Sequence, residues 1–180
     1  MKPHRPATDL QLNISAPLGR SFVPLLHRLI PRAAALLKSP LRELSIIFLN
    51  DAAMADLHGQ FMADPTTTDV MTFPIELERS GERAVAGEVY VCIPEARRQA
   101  KARGTPVERE VLLYALHGVL HLCGFDDRTE QDYRRMHRRE DQILTELGVG
   151  PVFAPPPAAI TPARRAPLQR RRRQRPRSRP

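Results

Sequence analysis

The chain has 180 residues, 28 Lys+Arg against 20 Asp+Glu, and a formal net charge of +8. Nine arginines and no acids fall in residues 151–180, so residues 1–150 hold 19 basic side chains against 20 acidic ones, which excludes a uniformly basic nucleic-acid-binding domain. The lack of Trp and the 5% aromatic content argue against a base-stacking platform for single strands, and no apolar run approaches the roughly 18–20 residues of a membrane span. The start, MKPHRPATDL, has no apolar stretch of the secretory type, which predicts a cytoplasmic protein. Two cysteines, Cys92 and Cys123, cannot make a disulfide framework and read as small buried hydrophobes.

In chain order, Asp9 to Ser15 alternates apolar and polar residues as a half-buried strand does. Arg20 to Lys38 reads as a helix kinked or broken at Pro31. Leu44 to Leu49 is a β-branched apolar run that predicts a central strand. Asn50 or Asp51 caps a helix through Ala52 to Phe61. After the DPTTT turn, Asp69 to Ile75 reads as a strand, and Pro74 assigns it to an edge or a strand end. Arg79 to Arg83 is a hairpin-like connection to a strand at Gly87 to Ile93. Pro94 opens a helix through Lys101. Thr105 and Glu108 have the spacing of a capping box ahead of a helix from Pro106 to Leu122, which is apolar nearly all round and belongs at the centre of a fold. Gly124 stops it, and a charged helix follows from Glu130 to Leu147. The order is β-α-β-α-β-β-α-α-α. It predicts an α/β or α+β domain over residues 1–150, with one small mixed sheet of about four strands covered by about five helices. Residues 151–180, with eight prolines and nine arginines, read as a disordered tail.

The chemistry concentrates in HGVLHLCGFDD, residues 117–127. His117 and His121 stand i,i+4 on one helix face and can bind one metal ion together. Gly124 permits a sharp turn that brings Asp126 or Asp127 back over the pair. Three protein ligands leave a position for water, the pattern of catalytic zinc sites. Cys123 lies about 200° round the helix from His121 and is left out of the site. The positions of His117, His121, Gly124 and Asp127 also match the spacing of the H-E-x-x-H-x-x-G-x-x-H proteases. Gly118 stands where those enzymes need their Glu base, so a peptidase is disfavoured.

HGVLHLCGFDD resembles the H-G-x-L-H-L-x-G-[FY]-D-H signature of the YbeY family, the bacterial rRNA-maturation endoribonucleases. Thr68 to Pro74 (TDVMTFP) is similar to that family's T-D-V-L-S-F-P strand, Gly87 to Val91 to its G-D-I-x-I strand, and Leu49-Asn50 to the L-N that opens the preceding helix. The resemblance runs from about Asp9 to Gly148. It implies a small sheet covered by helices, with one Zn2+ on a central helix. It further implies a zinc-dependent endoribonuclease specific for single strands, acting on ribosomal RNA at the 3′ end of the small-subunit RNA and in ribosome quality control. The implied partner is the small ribosomal subunit, without DNA or membrane. By position the metal ligands are His117, His121 and Asp127, Asp126 orients a ligand or the turn, and Thr68, Asp69 and Phe73 contact substrate. Two departures stand out. Asp127 replaces the signature's last His, leaving the site less positively charged, and Met62 occupies the place of an Arg in the loop before T-D-V. The alternative reading is a ribosome-assembly factor whose metal is structural.

Arg134–Arg138 and Arg135–Arg139 form a basic stripe among acids that include Glu140, and read as a solvated face with His137 exposed. Arg170, Arg171, Arg172 and Arg173 in the tail are expected to hold RNA through its phosphates without reading sequence.

Overall fold

Four segments pair into one mixed sheet in the computed structural model, which describes residues 10–38, 41–79 and 82–153. The strands are β1 (Gln11–Ser15), β2 (Leu41–Leu49), β3 (Val70–Arg79) and β4 (Glu82–Cys92), in the spatial order β1-β2-β4-β3. β1 and β4 run parallel to β2, and β3 pairs antiparallel to β4 from Val70↔Val91 to Arg79↔Glu82. Pro74 therefore sits on an edge strand, where the missing amide proton costs no ladder bond on the open side.

Five α-helices flank the sheet: α1 (Val23–Leu37), α2 (Asp51–Met62), α3 (Ile93–Arg103), α4 (Val107–Leu122) and α5 (Glu130–Glu146). Asn50 caps α2, its side-chain oxygen accepting from the Ala53 amide at 2.9 Å. Thr129 caps α5 in the same way. α4 is the core element, and Leu112, Leu116 and Leu120 lose nearly all exposure beneath α1, α3, α5 and the sheet. Burying each such side chain contributes about 1.5–3 kcal/mol. A second, smaller cluster of Met54, Met71 and Cys92 joins α2 to the other face of β3 and β4.

Three expectations need correction. Of the kink or break expected at Pro31, the break does not occur, and α1 runs from Val23 to Leu37 through it. Leu26, Leu29, Ile30, Ala33 and Ala34 anchor both halves in the core, while His27, whose carbonyl loses the proline's donor, is exposed. The capping box at Thr105 does not form. α4 is capped by Pro106 without a side-chain bond, and the Thr105 hydroxyl donates instead to buried Glu110. That carboxylate also takes a bond from Arg103 at 2.9 Å, and satisfying a buried charge outweighs an exposed cap. His137 is not exposed either, as the site makes plain. Cys92 is fully buried, as expected, whereas Cys123 is only partly so.

Candidate metal centre

α4 lies close against the sheet because two glycines allow it. A Cβ on Gly118 would stand 2.5 Å from Val89 Cγ1 and 3.0 Å from Thr72 Oγ1; one on Gly87 would stand 2.4 Å from Leu122 Cδ2. Position 118 thus faces the sheet and not the metal side of the helix. A glutamate there has no room, which is a physical reason, beyond its missing side chain, that this position supplies no protease-type base. One residue before it and three after it, His117 and His121 emerge on the open side.

The rings of His117 and His121 stand edge to face with centroids 4.7 Å apart. Their Nε2 atoms face one another at 3.1 Å. The Asp127 carboxylate closes the triangle, 3.6 Å from His117 Nε2 and 4.0 Å from His121 Nε2. The other ring nitrogens are spoken for. His117 Nδ1–H donates to Glu140 Oε1 at 2.7 Å, and His121 Nδ1–H to the Phe125 carbonyl at 3.0 Å. Those acceptors place the proton of each neutral ring on Nδ1 and leave a lone pair on Nε2. Two lone pairs and a carboxylate converging on one point repel unless a metal ion or a proton lies between them. His117, His121 and Asp127 accordingly form a group, with ligand atoms within 4.8 Å of one another, that could hold a metal ion. The donor set, two imidazoles and a carboxylate whose rings are oriented from behind, suits zinc.

The turn that delivers Asp127 is a Schellman motif. Gly124, at φ +86°, takes the left-handed conformation; its amide donates to the His121 carbonyl at 2.9 Å, and the Phe125 amide to the Leu120 carbonyl at 3.0 Å. Asp126 serves the turn. Its carboxylate accepts from the Asp127 amide at 2.9 Å and from Arg128, and these bonds, the backbone one foremost, hold it below the usual carboxylate range. Asp126 thus fixes the backbone of Asp127 and is not one of the three residues whose ligand atoms converge.

Glu140 is the residue sequence reasoning missed. It reads as one more acid beside a basic stripe, yet it is fully buried. Its two oxygens accept from His117 and His137. Burial would raise its pKa, but the bonds and charge of the two histidines override that and keep the carboxyl below its ordinary value. Burial likewise would depress His117, and the Glu140 bond, with the charges of Glu140, Asp69 and Asp127, instead raises it. The signal was available. Glu140 falls four residues after Met136 and three before Ile143, on the apolar face of α5. His137 beside it is only 13% exposed, covered by Tyr133 and Phe153. The stripe itself is divided: Arg134 pairs with Glu130, Arg139 donates to the Leu36 carbonyl, and Arg135 lies over the Phe125 ring.

The metal group lies in a cleft of about 820 Å³ that also takes in Thr68, Asp69 and Phe73, so the structure gathers six of the predicted positions, with Asp126, at one place. Asp69 Oδ1 accepts from the Val70 amide at 2.8 Å and the Thr68 hydroxyl at 3.1 Å, tying the loop to the start of β3. Phe73 projects with Met71 and Tyr90 toward α2, its ring edge-on to Phe61 at 4.6 Å and to Tyr90 at 5.6 Å. Met62 is 67% exposed on the cleft rim and brings no charge. Arg128, also lining the cleft, does. Arg170, Arg171, Arg172 and Arg173 lie outside the described residues. No helix among the described residues is long and apolar enough to cross a membrane.

Comparison with known proteins agrees with this geometry. Residues 20–148 match the family model described as "Endoribonuclease YbeY". A protein of that name from Thermobifida fusca is 36% identical over 116 residues, 61% of this chain and 75% of that protein. Another from Beutenbergia cavernae is 39% identical over 117 residues, 62% of this chain and 78% of its own. The solution structure of TM1509 from Thermotoga maritima shares the fold, with a TM-score of 0.52 at 23% identity, over 77% of this chain and 92% of that one. The match spans α1 through α5 and contains the histidine pair, the Gly124 turn and Asp127, and by it the chain belongs to the YbeY family.

Proposed function

We propose that this chain is a zinc-dependent endoribonuclease, specific for single strands, that matures ribosomal RNA at the 3′ end of the small-subunit RNA and acts in ribosome quality control. On this reading it works in the cytoplasm with the small ribosomal subunit as its partner. The observation that carries the proposal is the convergence of two Nε2 lone pairs and a carboxylate on one point of an open cleft, in a chain of this family.

Zinc supplies Lewis acidity toward a phosphodiester oxygen. His117, His121 and Asp127 hold it, and the Asp127 carboxylate leaves the centre less positive than a third imidazole would. Glu140 and the Phe125 carbonyl keep both rings oriented. Arg128, the one arginine among the residues lining the cleft, faces the phosphate and stands in for the charge that Met62 does not provide. Thr68 and Asp69 border the scissile position, and the Phe61–Phe73 pair offers an exposed ring to an unpaired base. Residues beyond 153 form a basic tail whose arginines raise the local concentration of RNA.

The exposed, uncharged Met62 favours a second reading, an assembly factor that binds the small subunit without cutting RNA. Incubating the purified chain with structured ribosomal RNA, with and without chelator and beside His117→Ala, separates the two. Cleavage lost to both treatments supports the enzyme. Intact RNA with retained subunit binding supports the assembly factor.

A further inference from the structure

The ligand His117 ends a series of contacts that begins past the last residue of the family match. Beyond α5 the backbone of residues 150–153 folds against α4 and α5, held by a side chain from each. Arg109 donates from Nη2 to the carbonyls of Gly150, at 3.2 Å, and Pro151. Asp141 Oδ1 accepts from the amides of Val152 at 2.6 Å and Phe153 at 3.0 Å. Four consecutive residues are therefore fixed through their backbone, and what they present is the Phe153 ring.

That ring lies 3.8 Å from the His137 ring, centroid to centroid, at an interplanar angle of 31°. Tyr133 meets His137 edge-on at 4.0 Å. Held between them, His137 donates from Nδ1 to Glu140 Oε2, while Glu140 Oε1 accepts from His117. The terminal torsion of a glutamate is broad, so one hydrogen bond alone lets the carboxylate turn. Engaging both oxygens from two sides fixes its plane, and with it the rotamer and tautomer of His117. Phe153 is itself 38% exposed and adds little to the core, so its burial alone gives a weak reason for so closely held a segment.

We propose that residues 150–153 are a clasp and that Phe153 and His137 are positioning residues for the metal centre, acting through Glu140. The proposal rests on the metal reading given above. The test uses the full chain as wild type, His137→Ala, His137→Asn, Phe153→Ala and Phe153→Tyr. His137→Asn keeps an N–H donor near the place of Nδ1, and Phe153→Tyr keeps the ring. Three quantities are read: zinc affinity by chelator competition, the visible spectrum of the cobalt(II)-loaded protein, and the melting temperature without metal. Both alanine variants should bind zinc about tenfold more weakly and shift the cobalt spectrum, as loss of an orienting partner does. The Asn and Tyr variants should restore both, with every metal-free chain remaining folded. Wild-type affinity and spectrum in the two alanine variants would overturn the clasp. So would weakening that the Asn and Tyr variants fail to reverse. A wild type that binds neither metal would overturn the metal reading itself, a result distinct from either.

Discussion

Replacing Glu140 by glutamine keeps the size of the side chain and removes one charge and one acceptor. The consequence follows from the two donors it meets. Both Glu140 oxygens accept, one from His117 and one from His137. A glutamine offers one oxygen and one NH2, so one histidine faces a donor where it had an acceptor. If that histidine is His117, its proton must move to Nε2, the nitrogen that faces His121 and Asp127, and the metal loses a ligand. If it is His137, a charge-assisted bond between buried groups is lost, worth about 1.5–3 kcal/mol. Disturbing an orienting partner costs roughly 10–100-fold in metal affinity, or about 1.4–2.7 kcal/mol. At roughly 2–4 °C per kcal/mol for a chain of this length, the metal-free melting temperature should fall by roughly 3–12 °C. Chelator competition for zinc and thermal unfolding of the metal-free protein measure the two effects separately. A folded Glu140→Gln protein with both wild-type zinc affinity and a wild-type metal-free melting temperature would refute the assignment of Glu140 as the carboxylate that holds His117 and His137.

Gly118→Ala should destabilise the fold by about 1–3 kcal/mol, because its Cβ meets the branched Val89 at 2.5 Å and must push α4 off the sheet; an unchanged melting temperature would refute that close approach. Zinc at a hundred times its dissociation constant should stabilise the folded chain by about 2.7 kcal/mol, and chelation should reverse the gain, seen as a shift in melting temperature of roughly 5–11 °C. No shift would mean that zinc does not bind the folded state preferentially. Ending the chain after Phe153 removes the tail arginines but keeps residues 150–153 in place. RNA affinity and the steepness of its salt dependence should both fall while zinc affinity stays at its wild-type value; an unchanged salt slope would remove the tail from RNA binding.

What the sequence made legible was local. His117, His121, Gly124 and Asp127 lie within eleven residues, and helix geometry plus one left-handed glycine suffices to bring them together. The apolar wrap of α4 likewise announced a central helix, and Pro74 announced an edge. What was not legible depended on distant partners. Glu140 acquires its role from His117, 23 positions away, and its i+4 relation to Met136 was masked by the arginines around it. His137 looked exposed because the ring that covers it comes from Phe153, beyond the helix. Thr105 had the right spacing for a cap, but Arg103 and Glu110 drew its hydroxyl into a buried network. Propensity reads neighbours along the chain, whereas a buried carboxylate is satisfied by whatever the fold brings near it.

The central claim, a single zinc held by His117, His121 and Asp127, is tested most directly by metal analysis of the full chain purified without added metal. Wild type should carry one zinc per chain, and His117→Ala and Asp127→Ala should each carry almost none while remaining folded. Equal zinc in wild type and Asp127→Ala would remove Asp127 from the site, and a zinc-free wild type that cannot be loaded would contradict the account.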